Sequence, residues 1–294
     1  MKITQNVRQN LFVKDCEVMN VIKNKVTLGA SKPFEILHVS DTHITLADMR
    51  DGERKVNLAK NRISHFPNAE KNLDEISSLS KKFGAPIFHT GDLIDFVSLK
   101  NLEKAKMFTD ENDCFLCAGN HEFSLFVGEA KEDEAYRNQS LERVQSSFKN
   151  DIRFSSRILN GVNFVAADNS YYRFEEFQLN ELKNEVAKGF PVVLLLHTPL
   201  FNDEIYNFSM NELKNNCAYL MSVPEEKMKD YSPDRYEQQK EDEITHEAYE
   251  YILNEEKIKL LLTGHIHDDF ETSFLHGKIQ YTTGLDTVRV ITID

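Results

Sequence analysis

Five short clusters in this sequence contain side chains that could bind metal ions or transfer protons. In chain order they are Asp41-Thr-His43, Gly91-Asp92-Leu-Ile-Asp95, Gly119-Asn120-His121-Glu122, His197-Thr-Pro-Leu200 and Gly264-His265-Ile-His267. Asp and Asn are common in turns and caps for purely structural reasons. That explanation does not account for five histidines in the same clusters, so we interpret the clusters as parts of one functional site.

The donor types in these clusters suit divalent cations. Carboxylate oxygens and neutral imidazoles bind manganese, iron, zinc or similar ions, and clusters without thiolates do not fit structural zinc or iron–sulfur sites. Two cations about 3.5 to 4 Å apart need a ligand that spans both, which a carboxylate can do and an imidazole cannot. The clusters therefore predict a catalytic site for divalent metal ions, in which a carboxylate could bridge two ions.

Each cluster follows an apolar run that has the character of a buried strand, such as Val192 to Leu196 before His197. Continuous apolar runs are typical of strands covered on both faces, as in parallel sheets with helices outside. Ligands of open α/β sheets collect beyond the carboxyl ends of the strands. We therefore expect the five clusters to meet at one edge of the fold.

Segments with helical spacing lie between these strands. Asn68 and Gly84 bound one predicted helix, Ser98 caps a second, and a third ends at Gly189. The positions expected to face the core are Leu99, Leu102 and Ala105 in the second helix and Phe174, Phe177, Leu182 and Val186 in the third. Strand-like runs at 154–167 and 270–293 lack intervening helices and predict antiparallel pairs. The fold class is thus α/β, a mixed β-sandwich flanked by helices.

In their order and spacing the clusters resemble the DxH, GDxxD, GNH(E/D), H and GHxH signature of calcineurin-like metallophosphoesterases. The resemblance extends from about Glu35 to the C-terminus, and five motifs together are far more specific than any one. It implies a four-layer αββα architecture and a hydrolase whose dinuclear centre activates water for in-line attack on phosphorus. Phe96-Val97 after GDxxD and the missing His-Gly-Gly favour the small bacterial-type phosphodiesterase and phosphatase branch over the phosphoprotein phosphatases.

The resemblance also implies individual roles. The first metal would take Asp41, His43, Asp92 and His267, and the second would take Asp92, Asn120, His197 and His265, with Asp92 as the bridge. His121 would act on the leaving group and Asp95 would orient it, as suits a general acid. Glu122 receives no role beyond supporting the ligands.

Two arginines, Arg50 and Arg54, are candidates for substrate binding because they follow the first cluster in a segment less acidic than the chain average. A solvated surface is the alternative interpretation, since mixed charge runs usually face water.

The length of 294 residues is compatible with a single domain, 1–294, with an N-terminal extension, 1–34, packed on the core. The charged and aromatic segment 201–245 is predicted to be an inserted lid, because 67 residues separate His197 from His265 and such long connections are usually functional or disordered.

The composition and charge argue against several classes of protein. A formal net charge of −13 disfavours a nucleic-acid polymer as partner, and no apolar run is long enough to cross a bilayer. The four cysteines do not form a disulfide framework, and the start of the chain lacks a secretory signal, so a cytoplasmic location is expected.

The expected partner is a small phosphorylated substrate, and the sequence leaves open a phosphodiester or a phosphomonoester, as well as the oligomeric state. The alternatives are a non-catalytic interaction module on the same fold, which the complete ligand set argues against, and a nuclease, which the acidic charge disfavours.

Overall fold

The computed structural model describes residues 18–129 and 131–294. In these residues two β-sheets lie face to face with helices on their outer sides. The strands are β1 Asn20–Val26, β2 Phe34–Val39, β3 Ile87–His89, β4 Cys114–Leu116, β5 Phe154–Leu159, β6 Val162–Ala167, β7 Val192–Leu195, β8 Ile258–Thr263, β9 Phe270–Ser273, β10 Ile279–Thr282 and β11 Thr287–Ile293. The α-helices are α1 Glu53–Arg62, α2 Ala69–Phe83, α3 Leu99–Glu111, α4 Glu134–Asn138, α5 Leu141–Gln145, α6 Glu176–Ala187, α7 Asp203–Asn207, α8 Pro233–Gln239 and α9 Glu243–Asn254. Among the described helices, none combines the length and the apolar character that a bilayer crossing requires.

Both sheets are mixed. The first has the order β1-β11-β2-β3-β4, and the second has the order β5-β6-β7-β8-β10-β9. Strands β2, β3 and β4 are parallel to one another, as are β6, β7, β8 and β10. The antiparallel pairs are β5 with β6, β9 with β10, and β11 with β2. The predicted mixed α/β sandwich is therefore confirmed.

Alternating side chains divide the core into layers, because successive residues of a strand point to opposite faces. In β2, Leu37 packs in the cluster beneath α2 and α3, whereas Ile36 packs between the two sheets. In β3, Ile87 likewise packs in the cluster beneath α2 and α3, and Phe88 packs between the two sheets. A third cluster joins the outer face of the second sheet to α6 and α9. The arrangement is helix, sheet, sheet, helix.

The predicted helix boundaries follow local chemistry. Gly84 ends α2 in the left-handed conformation, with φ of 61°, and the Ser98 side chain accepts a hydrogen bond from the Asn101 backbone N–H at the start of α3. Two expected core positions are wrong: Leu99 and Phe177 are 38% and 44% exposed. Each lies in the first turn of its helix.

The structure describes the segment 201–245, which was predicted to be a lid, and part of the predicted N-terminal extension. Residues 1–17 of the predicted extension lie outside the described residues, and β1 pairs in parallel with β11. Within 201–245, α7 and α8 surround a small apolar cluster that contains Ile205 and Leu220 and also includes Ile266, which lies between two predicted metal ligands. The segment is thereby packed directly against the last motif.

Candidate metal centre

The five clusters meet because both sheets present the carboxyl ends of parallel strands to the same region. Asp41 and His43 follow β2, Asp92 follows β3, and Asn120 follows β4. The second sheet contributes His197 after β7 and both His265 and His267 after β8. The seven predicted ligands therefore come from two sheets and lie in one place.

One group of donors is formed by Asp41, His43, Asp92 and His267, whose ligand atoms all lie within 4.8 Å of one another. The Nε2 atoms of His43 and His267 are 3.1 Å apart, and Oδ1 of Asp41 is 3.5 Å from His267 Nε2 and 3.7 Å from His43 Nε2. Four donors thus converge on one small volume.

A second group adjoins the first. Nε2 of His197 lies 3.0 Å from Nδ1 of His265, 3.2 Å from Oδ1 of Asn120 and 3.3 Å from Oδ2 of Asp92. The same Asp92 oxygen is 3.7 Å from His43 Nε2 in the first group. One carboxylate oxygen therefore faces both groups.

The residues present fit two divalent cations. Oδ1 of Asp41 is buried with no hydrogen-bond partner among the described residues, although a buried carboxylate oxygen normally has one. The facing imidazole nitrogens of His43 and His267 share a region with two carboxylates, which is the donor set that Mn, Fe or Zn accepts.

The backbone around the donors is strained. Asp41, His43, Asp92, His265 and His267 all have positive φ, between 49° and 70°. Non-glycine residues rarely adopt this conformation, and such strain concentrates at functional sites. Gly264 allows the backbone after β8 to lie close to Ser40 and Asp41. A Cβ atom at position 264 would overlap the Ser40 hydroxyl and the Asp41 carboxylate.

His121 lies beside the two groups and its ring faces Asp95. Nδ1 of His121 is 2.6 Å from the Asp95 backbone oxygen and 3.2 Å from its Oδ1. The same Oδ1 is 3.3 Å from Nδ1 of His43. Arg62 holds this carboxylate from the other side, with Nε and Nη2 donating over 2.7 and 2.8 Å. Asp95 therefore orients two histidines at once.

The charges of the site explain its pKa shifts. Burial alone would raise the pKa of Asp41 and of Asp92, but the surrounding imidazoles outweigh burial and hold both below the ordinary value. Burial would lower the pKa of His121, whereas Asp92 and Asp95 raise it to about 10. For His267, burial prevails and lowers the pKa to about 4, which favours the neutral ring that a cation binds.

Two buried residues support the donors: Glu122, for which the sequence predicts only a role in supporting the ligands, and Tyr172, which the sequence does not single out. Glu122 is buried, and its two oxygens accept hydrogen bonds from the backbone N–H groups of Asp92, Leu93, Ile94 and Gly119 at 2.7 to 3.2 Å. Its position directly after His121, in the third cluster, is the feature of the sequence that could have indicated this role. The Tyr172 hydroxyl forms a hydrogen bond of 2.7 Å with Nε2 of His265. Tyr172 does not belong to any of the five clusters, so no sequence motif indicated this contact.

Arg50 and Arg54 lie on the surface rather than among the converging donors. Arg50 pairs with Asp48 and Glu103, and Arg54 pairs with Glu129. Neither arginine lines the cavity that opens beside the metal centre.

The buried histidines outside the motifs have local partners. His38 bonds to Thr90 and Thr283, and His89 bonds to Thr42. Both are core residues that support the strand ends.

Comparisons with known proteins agree with this arrangement. The family model described as calcineurin-like phosphoesterase matches residues 34–269. No curated protein sequence matches the chain.

Solved structures with a similar fold include a dimetal phosphatase from Danio rerio, with 15% identity, 86% of this chain and 88% of that chain covered, and a TM-score of 0.47. A phosphopantetheinyl hydrolase from Mycobacterium tuberculosis has 10% identity, 90% coverage of both chains and a TM-score of 0.42. A 5'-nucleotidase from Candida albicans has 13% identity, 90% of this chain and 47% of that chain covered, and a TM-score of 0.40. Since the family model covers most of the sequence, the chain belongs to the calcineurin-like phosphoesterase family.

Proposed function

We propose that this phosphoesterase hydrolyses a small phosphodiester or phosphomonoester at a dinuclear metal centre held by Asp41, His43, Asp92, Asn120, His197, His265 and His267. The observation that carries the proposal is the position of Asp92 Oδ2, 3.7 Å from His43 Nε2 and 3.3 Å from His197 Nε2. An oxygen shared by two donor groups is what a bridging ligand requires.

The chain's own residues supply the remaining parts of the reaction. When bound, two divalent ions provide Lewis acidity for attack on phosphorus. His121 lies at the cavity wall with Nδ1 held by Asp95, so its Nε2 is the atom that delivers a proton to the leaving oxygen. In the metal-free protein Asp92 and Asp95 raise the pKa of His121 to about 10, which favours a proton on the ring near neutral pH.

The test is turnover of two chromogenic esters, bis(4-nitrophenyl) phosphate and 4-nitrophenyl phosphate, by protein loaded with Mn²⁺, Fe²⁺ or Zn²⁺. We expect metal-dependent release of 4-nitrophenol that is abolished by EDTA and by Asp92→Asn. The ratio of the two rates distinguishes diester from monoester preference. A metal-loaded protein that hydrolyses neither ester would contradict the proposal.

A further inference from the structure

A cavity of about 1280 Å³ adjoins the metal centre. Asn120, His121 and His265 form part of its wall, and Glu132, Tyr219 and Arg235 form another part. Arg235 belongs to α8 and Tyr219 to the loop before it, so both come from the segment 201–245. The cavity therefore provides space next to the metal centre for the alcohol portion of an ester.

Glu132 presents an unused acceptor to the cavity. Its Oε2 is buried and has no hydrogen-bond partner among the described residues, and its Oε1 is 3.5 Å from Nδ2 of Asn120. Glu132 also has a positive φ of 51°, so the backbone holds it in a conformation that non-glycine residues rarely adopt. A buried carboxylate oxygen without a donor is costly, and a ligand that donates a hydrogen bond would remove that cost.

Arg235 presents unused donors to the same cavity. Its Nη1 donates to Oε1 of Gln238 over 2.6 Å, and its guanidinium lies 5.2 Å from the ring centre of Tyr219. In the described part of the chain it forms no ion pair with a carboxylate. A guanidinium has five N–H donors, so most of them are available to a ligand.

Two other arginines on the cavity wall are already paired. Arg137 binds Glu175 and lies 3.5 Å from Asp168, and Arg173 lies 3.6 Å from Asp242. Among the described arginines of the cavity wall, Arg235 is therefore the partly buried one whose guanidinium forms no ion pair with a carboxylate.

Glu132 and Arg235 are an acidic and a basic side chain that face one cavity, yet they do not pair with each other in the described structure. We propose that they form a subsite for the alcohol portion of the ester, which carries a hydroxyl or ammonium donor for Glu132 and an anionic group, such as a carboxylate, for Arg235. This inference rests on the proposed function and specifies its substrate class. A zwitterionic or hydroxy-acid phosphate has both groups on one small skeleton.

Four phosphomonoesters test the subsite. O-phospho-L-serine carries an ammonium and a carboxylate, and 3-phosphoglycerate carries a hydroxyl and a carboxylate. O-phosphoethanolamine lacks the carboxylate, and 4-nitrophenyl phosphate lacks both recognition groups. The kcat/KM of metal-loaded protein is measured for each, and calorimetry measures binding of O-phospho-L-serine independently of turnover.

We expect kcat/KM for the better of the two carboxylate-bearing esters to exceed that for O-phosphoethanolamine by about tenfold or more, since a charge-assisted hydrogen bond contributes about that much. Arg235→Gln should remove about tenfold of this preference, and Glu132→Gln should lower kcat/KM about tenfold for the three esters that carry an ammonium or hydroxyl donor. In both variants hydrolysis of 4-nitrophenyl phosphate should stay within about twofold. Glu134→Gln and Arg173→Gln, which change charges on the same wall, should keep the preference.

The outcomes separate the two proposals. Equal kcat/KM for all four esters, or equal losses on all four in the Glu132 and Arg235 variants, would overturn the subsite and leave phosphoester hydrolysis intact. A protein that hydrolyses none of the esters but binds O-phospho-L-serine, with loss of binding in both variants, would overturn hydrolysis and support the subsite.

Discussion

The phenol oxygen of Tyr172 lies 2.7 Å from Nε2 of His265, on the side of the imidazole opposite the nitrogen that faces the donor groups. Tyr172 is 1% exposed and its ring packs edge-on against the imidazole, with ring centres 5.3 Å apart. With a cation bound at Nδ1, which faces His197 and Asp92, Nε2 would carry the ring proton and donate a hydrogen bond to the phenol oxygen. The bond thereby selects the tautomer that leaves Nδ1 free to bind a cation.

Replacing this phenol should weaken metal binding. We expect Tyr172→Phe to reduce the affinity of the second ion by about 10- to 100-fold, the usual effect of removing a hydrogen-bond partner from a metal-binding histidine. Metal titration followed by calorimetry measures the affinity directly. Tyr171→Phe is the matched control, because the neighbouring buried hydroxyl has no partner among the described residues. Equal metal affinity in the two variants would contradict this role.

His121 and Asp92 should separate catalysis from metal binding. We expect His121→Ala to keep nearly full metal content and to lose about 10²- to 10⁴-fold in kcat, because only proton delivery is removed. Asp92→Asn should lose both metal and activity, since its Oδ2 faces both donor groups. Elemental analysis of the dialysed proteins, together with turnover of 4-nitrophenyl phosphate, gives the two readouts. Loss of metal from His121→Ala would show that this ring is a ligand.

Glu122 should be essential for the loop that carries Asp92. An amide in its place offers one acceptor oxygen and turns an NH₂ group toward backbone donors, so about two of the four buried N–H groups lose their partner. At about 1 to 3 kcal/mol for each, Glu122→Gln should lower the free energy of unfolding by about 2 to 6 kcal/mol. Urea unfolding of the metal-free protein measures it, with exposed Glu111→Gln as control. A loss no larger than that of the control would refute the prediction.

The pairing of Asp95 with Arg62 should make stability fall in acid. Burial would raise the pKa of Asp95, but Arg62, His121 and His43 together hold it well below its ordinary value of 3.8. Above pH 3.8 the carboxylate is ionised in both states and its contribution is complete; below it, the unfolded chain takes up a proton that the folded chain does not, so stability is lost as pH falls.

This contribution can be isolated by difference. At pH 6.5, metal-free wild type should exceed Asp95→Asn by about 3 to 5 kcal/mol in free energy of unfolding, the usual cost of breaking a buried pair. The difference should shrink progressively as the pH falls through and below about 4. The exposed variant Asp74→Asn should show little difference from wild type throughout. If the difference in free energy of unfolding between wild type and Asp95→Asn stayed constant from pH 6.5 to 3.5, the pairing of Asp95 with Arg62 would not be its cause.

The sequence by itself determined the class of fold and the family. Apolar runs that stop at Asp, Asn and His predict strand ends, and α2 ends at Gly84 as its sequence indicates, because caps and periodicity depend on neighbours a few residues away. The order of the five motifs predicts the family, which the family model confirms over residues 34–269. The exposed first-turn residues Leu99 and Phe177 show the limit of periodicity, since it does not specify where a helix first meets the sheet.

Only the tertiary structure decided which atoms meet at the site. Glu122 reaches the Asp92 loop across 30 residues, Arg62 reaches Asp95 across 33, and Tyr172 reaches His265 across 93. The distance between Arg235 and the metal centre depends on how 201–245 packs around Ile266. These contacts depend on how the two sheets stack and on how the long segment 201–245 folds back. Neither is determined by the conformational preferences of neighbouring residues.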